Sequence, residues 1–148
     1  MNNVYRIFLS LPMHGKSMDE ISKMVEKAKQ TIRDLKTNKP SRYAQPEVKY
    51  LYDALNKYDE YEVICTYDLP NIDEDIIRKA NEPRIKYLAR AINILGDCNA
   101  AMFCPGWLYA AGCNVEFTVC KLYYIPTFEL YSPSKSADSE YCIKGLKG

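Results

Sequence analysis

Glu116 is the residue whose type and position point most directly to chemistry. It ends the segment 104–116, Cys-Pro-Gly-Trp-Leu-Tyr-Ala-Ala-Gly-Cys-Asn-Val-Glu, and lies early in a predicted helix that follows an apolar stretch. A helix N-terminus stabilises a carboxylate, and an ionised glutamate in a pocket can act as a nucleophile or general base, including at the anomeric carbon of a sugar. Gly112, one turn earlier, would let a sugar or base approach the backbone. The alternative is a glutamate that only compensates the helix dipole.

A second candidate is the turn 10–17, Ser-Leu-Pro-Met-His-Gly-Lys-Ser, which joins a predicted strand to a predicted helix. The start of that helix would attract an anion, Gly15 allows a ligand to approach the backbone, and His14 could protonate a leaving base. The spacing matches neither a Walker loop nor a dinucleotide fingerprint. The alternative is an ordinary strand-to-helix turn with a solvent-facing histidine.

The six cysteines and the single histidine limit metal and thiol chemistry. One histidine excludes multi-histidine metal sites, and no two cysteines have the C-x-x-C spacing of a zinc or thioredoxin-like site. Cys104 and Cys113 flank the proposed site, and a thiol near a helix N-terminus can become nucleophilic. Because no second histidine is available to pair with them, a buried structural role is favoured over a catalytic one.

The composition is that of a globular domain with near-neutral charge. The chain has 148 residues, of which 47% are hydrophobic, and a formal net charge of +1. This length is typical of one domain, and the charge gives no support for binding a nucleic-acid polymer or a membrane. We recognise no leader or membrane-spanning segment, so we expect a cytoplasmic protein with reduced thiols. Its 13 tyrosines suit interfaces and small-molecule pockets.

Apolar runs alternate with stretches of helical periodicity. The pattern predicts strands at 4–11, 61–67, 100–104 and 125–131, and helices at 17–35, 47–58, 83–95 and 107–124. Ser17 and Glu20 have the spacing of a capping box at the first helix. The alternation predicts one α/β domain over residues 1–131, with a parallel sheet covered on both faces, and a polar tail at 132–148. Ligands of such sheets bind beyond the carboxyl ends of the strands, which here are followed by segments 10–16, 68–75 and 104–116.

Four motifs in this order resemble the nucleoside 2-deoxyribosyltransferase-like superfamily, most of all a small, largely uncharacterised branch common in bacteria and their phages. They are the Ser-x-Pro-Met-x-Gly turn of Ser10–Gly15, the Tyr-Leu-x-x-x-Ile pattern of Tyr87–Ile92, the Gly-Trp pair Gly106–Trp107 and the Gly-Cys-x-x-Glu pattern of Gly112–Glu116. The resemblance covers roughly residues 4–130.

The resemblance implies a flavodoxin-like, doubly wound parallel sheet of four to five strands, helices on both faces, and no metal or cofactor. It implies an enzyme that breaks or exchanges the N-glycosidic bond of a nucleoside or nucleotide. In that reaction Glu116 attacks C1′, and water or a second base then accepts the sugar. A homo-oligomer is also expected. The predicted substrate-binding residues are Ser10, Pro12, Met13, His14, Gly15, Asp68, Gly106, Trp107 and Gly112.

Two positions leave other hypotheses open. Characterised transferases carry an aspartate near the position of Ala91 and a polar residue at the position of Ala110. Their replacement by alanine favours a second hypothesis, a nucleotide-binding module without turnover, whereas Glu116 favours the enzyme. A third hypothesis is a structural or interaction protein whose tyrosines form an interface.

Overall fold

The structure, a computed structural model, describes residues 3–65, 81–134 and 140–146, with the side chains of 81–84 outside the description. Its elements are strand β1 (Val4–Ser10), helices α1 (Met18–Thr37) and α2 (Pro46–Lys57), strand β2 (Glu60–Ile64), helix α3 (Asn81–Leu95), strand β3 (Ala100–Phe103), a 3-10 helix (Trp107–Tyr109), helix α4 (Ala111–Leu122), and strands β4 (Thr127–Tyr131) and β5 (Cys142–Gly145). None of the described helices is long and apolar enough to cross a membrane.

The strands form one sheet in the order β2-β1-β3-β4-β5. β1 pairs in parallel with β2 and β3, β3 pairs in parallel with β4, and β5 runs antiparallel to β4 at the edge. Because the chain leaves β1 toward one edge and β3 toward the other, the winding reverses between these two strands. Ligands of doubly wound sheets bind at such a switch point. The prediction of a flavodoxin-like α/β fold is confirmed.

β1 divides its side chains between the two faces of the sheet, because successive residues of a strand point in opposite directions. Tyr5, Ile7 and Leu9 join the buried cluster that α1 and α2 cover. Phe8 joins a second cluster under α3 and α4, which includes Leu95. Helices therefore cover both faces, and Ser10, which alternates in step with Phe8, is directed toward α4.

α1 begins at the predicted cap. The Ser17 hydroxyl accepts a hydrogen bond from the Glu20 amide at 3.1 Å and donates to a Glu20 carboxylate oxygen at 3.3 Å. The helix buries one side, formed by Ile21, Val25, Ala28 and Ile32. Because the cap fixes where α1 starts, the turn after β1 has only the residues between Ser10 and Ser17 in which to reverse direction.

The helix predicted at 107–124 is divided at Ala110, whose backbone is extended, with φ −110° and ψ 118°. The Asn114 side-chain amide bridges the division, donating to the carbonyls of Trp107, Leu108 and Ala110 at 3.3, 3.0 and 2.8 Å. The Trp107 and Ala110 carbonyls also accept the backbone amides of Ala110 and Asn114, at 3.1 Å each, so the side chain adds further bonds at the break. Glu116 consequently lies beyond the first turn of α4.

Strand β5 lies inside the region 132–148 that the sequence predicts to be a polar tail, which corrects that prediction for residues 142–145. The Leu146 amide donates to the Thr127 carbonyl at 3.0 Å, and the Thr127 hydroxyl donates to the Leu146 carbonyl at 2.7 Å. Ile143 packs against the cluster under α1 and α2. The run is too short, and too interrupted by Lys144, to show strand periodicity. The strand forms because its backbone pairs with β4, although its own sequence shows no strand pattern.

Candidate functional site

A buried hydrogen bond joins the end of β1 to α4. The Ser10 hydroxyl donates to Oε1 of Glu116 at 2.6 Å, between residues 106 positions apart in sequence. Ser10 is 1% exposed and Glu116 is 7% exposed. Ser10 is also the register partner of Phe103 at the end of β3. The contact therefore lies at the carboxyl edge of the sheet, beside the switch point between β1 and β3.

The ionisation of Glu116 is governed by its burial. Desolvation raises the pKa of Glu116 from 4.5 to about 7, and the hydrogen bond from Ser10 opposes this rise. The expectation that the helix N-terminus stabilises the anion is therefore wrong, since Glu116 lies past the first turn of α4 and burial dominates. Near neutral pH both the carboxylate and the carboxylic acid are populated, so a fraction of Glu116 is in the ionised form that can act as a nucleophile.

Two buried thiols lie beside this pair. Cys113, one turn before Glu116, is close enough to Ser10 and Glu116 for both to affect its ionisation, and it adds to the raised pKa of Cys104, the residue after β3. Burial raises the pKa of Cys113 to about 12, although Ser10 and Lys16 oppose the rise. Burial also raises the pKa of Cys104. Both remain thiols at neutral pH, which favours the structural role over a nucleophilic one.

Contacts on two sides hold the turn after β1. A Cβ placed on Gly106 would lie 3.7 Å from Cγ of Pro12, so this turn touches the loop after β3. Gly106 has φ +90°, a left-handed conformation that favours glycine. The Tyr87 hydroxyl on α3 donates to Sδ of Met13 at 3.5 Å. Pro12, Met13 and Gly106 are thus brought to one edge of the sheet, as predicted from the strand ends, although contact with a substrate stays a prediction.

Trp107 and Gly112 serve the packing of α3 and α4. Trp107 is 5% exposed and packs on Phe103 and Phe117, with ring centroids 5.1 Å away in both cases. Its indole N–H finds no hydrogen-bond partner in the part of the chain that the structure describes. A Cβ on Gly112 would lie 3.9 Å from Cδ1 of Leu88. Their predicted role as substrate-binding residues has no geometric counterpart beyond this packing and stays a prediction.

Of the remaining predicted residues, His14 and Gly15 are described by the structure and Asp68 is not. His14 and Gly15 form the exposed tip of the turn after β1. Gly15 has φ +77° and nothing within 4 Å of a Cβ built on it. Asp68 belongs to the segment 66–80, outside the described residues. A role for these three residues stays a prediction.

The sequence analysis places Ser10 among the substrate-binding residues and Cys113 beside the site, but it does not predict the hydrogen bond between Ser10 and Glu116. The three-residue spacing of Cys113 and Glu116 puts both on one face of α4, so their proximity could have been predicted from the sequence. Two other neighbours are missed. Lys16 is close enough to affect the ionisation of Cys113, and Tyr87 reaches Met13.

A groove lies at the opposite, amino edge of the sheet. Its volume is about 530 Å³, and its lining includes Pro46, Tyr50, Tyr124 and Phe128. That volume falls in the range of ligand sites, but neither Ser10 nor Glu116 lines it. Volume alone would point to the amino edge, whereas the buried Ser10–Glu116 pair lies at the carboxyl edge, where ligands of this fold class bind.

Neither a metal site nor similarity to a known protein assigns a function to this site. In residues 3–65, 81–134 and 140–146, no three His, Cys, Asp or Glu side chains are grouped so that they could hold a metal ion. Comparison with known protein families, with curated proteins and with solved structures finds no match to this chain. What the protein does must therefore be inferred from the geometry around Glu116.

Proposed function

We propose that this protein breaks the N-glycosidic bond of a nucleoside or nucleotide and transfers the sugar to water or to a second base. The observation that carries the proposal is the buried Ser10–Glu116 pair at the carboxyl edge, with Oγ and Oε1 2.6 Å apart. A buried carboxyl is costly unless it is used or satisfied. This one lies where doubly wound sheets bind ligands and on the residue that the motif resemblance matches to a nucleophile.

The proposed reaction begins with Glu116 as carboxylate. Ser10 engages Oε1, which leaves Oε2 to attack C1′ of the sugar. The C1′–O bond forms as the C1′–N bond breaks, and the electron pair of the broken bond leaves with the base, which takes up a proton from solvent or from His14. Water or a second base then attacks C1′ as the C1′–O bond to Glu116 breaks; the electron pair of that bond restores the carboxylate, and the attacking group gives up its proton to solvent or to His14. Both steps need only groups of the chain, the substrate and water.

The loops around Glu116 are the proposed substrate contacts. Pro12, Met13 and Gly106 lie together at the carboxyl edge, and the exposed tip at His14 and Gly15 would face the nucleotide. A small molecule at this edge would enter beside the start of α4. These assignments extend the motif resemblance, and they are supported by the close approach of Pro12 to Gly106 and by the hydrogen bond from Tyr87 on α3 to Met13.

We also propose a homo-oligomer in the cytoplasm. Exposed apolar side chains lie just before α4 and along its outer side: Leu108, Tyr109, Val115 and Leu122. An apolar surface of this kind is a common feature of subunit interfaces. Light scattering on the purified chain tests the oligomer, and a monomeric mass at all concentrations would contradict it.

The competing function is a nucleotide-binding module without turnover. Ala91 is 1% exposed and packs in the cluster under α3 and α4, and Ala110 is the half-buried cap of α4. Neither position supplies the polar contact that the characterised transferases have. Binding without release of a base would favour this second function.

The test is release of free base from a panel of ribo- and deoxyribonucleosides and their monophosphates, measured by chromatography. The wild type is compared with Glu116→Gln, which keeps the size and the hydrogen-bond acceptor but removes the nucleophile. Glu26→Gln, an exposed position on α1, is the matched control and should retain full activity. Base released by Glu116→Gln as fast as by the wild type would overturn the proposal, and no release by any form would favour the binding module.

A further inference from the structure

The groove at the amino edge is lined by two tyrosines that belong to opposite faces of the sheet. Tyr50 lies on α2 and is 54% exposed, and Tyr124 follows α4 and is 91% exposed. Pro126, just before β4, and the buried Phe128 within it add apolar surface to the lining. The groove, with a volume of about 530 Å³, therefore presents two exposed aromatic rings beside apolar surface.

Tyr124 is held at this groove against a backbone preference. Its φ of 60° is left-handed, a conformation that disfavours every residue with a Cβ. The hydrogen bond from the Ile125 amide to the Cys120 carbonyl closes the turn at this position. The described part of the chain buries almost none of Tyr124, so packing does not offset the strain. Residues held in this way cluster at ligand and active sites.

Among the described residues that line the groove, Glu47 and Lys121 are charged. The Glu47 side chain crosses Gly145 on β5. A Cβ placed on Gly145 would lie 2.6 Å from Cγ of Glu47 and 3.1 Å from Cδ. Because Gly145 has no Cβ, it leaves room for the carboxyl group of Glu47 at the wall of the groove.

Lys121 directs its charge away from this edge. Its Nζ lies 5.6 Å from the centroid of the Phe117 ring, one turn back along α4. Since α4 runs toward the amino edge, the ammonium is drawn back from the groove and the aliphatic stem lines it. The last turn of α4 also lies here, and its carbonyls carry partial negative charge. The groove therefore favours positive charge.

We propose that this groove binds an organic cation, a quaternary or aromatic ammonium compound, between the rings of Tyr50 and Tyr124 and with Glu47 as the counter-charge. The face of an aromatic ring attracts a cation through its quadrupole, and several rings together form the cages that recognise quaternary ammonium groups. The apolar lining suits the carbon substituents of such a cation. This binding goes beyond the proposed function, because the groove lies at the opposite edge of the sheet from Glu116.

The test is an NMR titration of the nitrogen-labelled full-length protein with choline and with phenyltrimethylammonium. Saturable shifts are expected for the amides of Glu47, Tyr50 and Tyr124, and none for Ser10 or Glu116. Dimethylbutanol, the uncharged isostere of choline with carbon in place of nitrogen, should bind about tenfold more weakly or worse. A flat neutral ligand would stack on the same rings without needing charge, so this comparison isolates the cation.

Variants of the lining residues identify the groups that hold the cation. Tyr124→Leu and Glu47→Gln should each weaken binding by about fivefold or more, whereas Tyr124→Phe, which keeps the ring face, should bind nearly as the wild type does. Lys121→Gln should strengthen binding, because it removes a like charge. Tyr109→Leu is the matched control, since Tyr109 is an equally exposed tyrosine (94%) at the other end of α4, and it should change nothing.

Four results would overturn the proposal: no saturable binding of either cation, equal binding of dimethylbutanol, shifts confined to the carboxyl edge, or unchanged affinity in both Tyr124→Leu and Glu47→Gln. None of these measurements depends on release of a base. Glu116→Gln should bind the cations as the wild type does, so failure of the glycosidic reaction leaves the cation site standing. Failure of cation binding likewise leaves the proposed function standing.

Discussion

β1 carries two buried hydroxyl groups, and their surroundings differ. Ser10, at the carboxyl end, donates to a buried carboxyl on α4. Tyr5, near the amino end and on the other face, is 2% exposed, and its hydroxyl has no hydrogen-bond partner in the described part of the chain. It packs edge-on to Tyr58 with ring centroids 5.0 Å apart, and burial, with Tyr50 and Tyr58 adding to it, raises its pKa above the ordinary value.

The difference shows that burial of a polar group does not by itself make a site. Tyr5 has a large apolar ring that fills the cluster under α1 and α2, so its burial has a packing reason. Ser10 and Glu116 have little apolar surface to bury, yet both lie inside. Packing of apolar surface therefore does not explain the burial of the Ser10–Glu116 pair, whereas it does explain that of Tyr5.

The largest expected contrast is in activity. Glu116→Gln should lower base release by roughly 10⁴-fold or more, the scale of losing a nucleophile. Tyr5→Phe should leave the rate unchanged, because the hydroxyl it removes lies on the opposite face and end of β1. Steady-state assays of both variants on the best substrate of the panel decide this. If Tyr5→Phe lost as much activity as Glu116→Gln, the two ends of β1 would not differ in their importance for activity.

The next contrast is in the pH dependence of stability. The folded chain keeps a proton on Glu116 up to about pH 7, whereas the unfolded chain releases it near pH 4.5. Stability should therefore be fully present below the lower value and fall as pH rises toward the higher one. The expected loss is roughly 3 kcal/mol.

Urea unfolding of the wild type and Glu116→Gln at about pH 5 and about pH 8 measures this loss. The variant should lack it, so that it gains stability relative to the wild type at the higher pH. Tyr5→Phe should retain the wild-type dependence over this range. Parallel curves for the wild type and Glu116→Gln would show that Glu116 titrates normally.

A smaller contrast is in the stability of the two hydroxyl deletions. Ser10→Ala should lower the free energy of unfolding by about 1–3 kcal/mol, because it leaves a buried carboxyl without its donor. Tyr5→Phe should be neutral or stabilising by about 1 kcal/mol, because it removes a hydroxyl that is buried without a partner. Denaturant midpoints of the two proteins are compared at one pH. Equal losses would mean that Tyr5 also has a hydrogen-bond partner in solution.

The smallest expected effect concerns left-handed residues at the two edges. At the carboxyl edge this conformation falls on Gly106, whereas after α4, at the amino edge, it falls on Tyr124 with φ 60°. The Ile125 amide donates to the Cys120 carbonyl at 2.9 Å, the bond of a Schellman end in which glycine is preferred at the position of Tyr124.

Tyr124→Gly should therefore raise the free energy of unfolding by about 1 kcal/mol without changing activity. Gly106→Ala should lower it by a similar amount, since alanine disfavours φ +90°. Thermal denaturation of both variants checks the opposite signs. A destabilised Tyr124→Gly would show that the exposed ring makes contacts worth more than the backbone strain.

Much of the fold was predictable because the spacing of apolar residues along the chain indicates its strands and helices. The continuous apolar run of β1, the cap at Ser17 and the spacing of α1 all follow from neighbouring residues. β5 was not predictable, since a four-residue edge strand is stabilised by the pairing that β4 provides. The break at Ala110 was missed for a similar reason, because the Asn114 amide that bridges it acts across the break.

The position of Ser10 and Glu116 at the carboxyl edge was predictable from the sequence, but the hydrogen bonding and ionisation of Glu116 were not. The rule that ligands bind at the carboxyl ends of strands put Ser10 and Glu116 at one edge. It could not show that a hydroxyl 106 residues away is the donor to Glu116. The helix-dipole argument predicted a stabilised anion, but the dominant effect is burial, which depends on how α4 packs on the sheet. Trp107 was predicted to bind substrate from its place in a motif, and its ring lies in the core.

The most direct test of the central claim is to find where the sugar becomes attached. The wild type would be mixed with the best substrate of the panel, quenched with acid within the first turnovers, digested and mapped by mass spectrometry. We predict a glycosyl adduct on Glu116, absent from Glu116→Gln and present in Tyr5→Phe. Rapid release of base with the sugar attached to another residue, or turnover that persists in Glu116→Gln, would contradict the claim that Glu116 is the nucleophile.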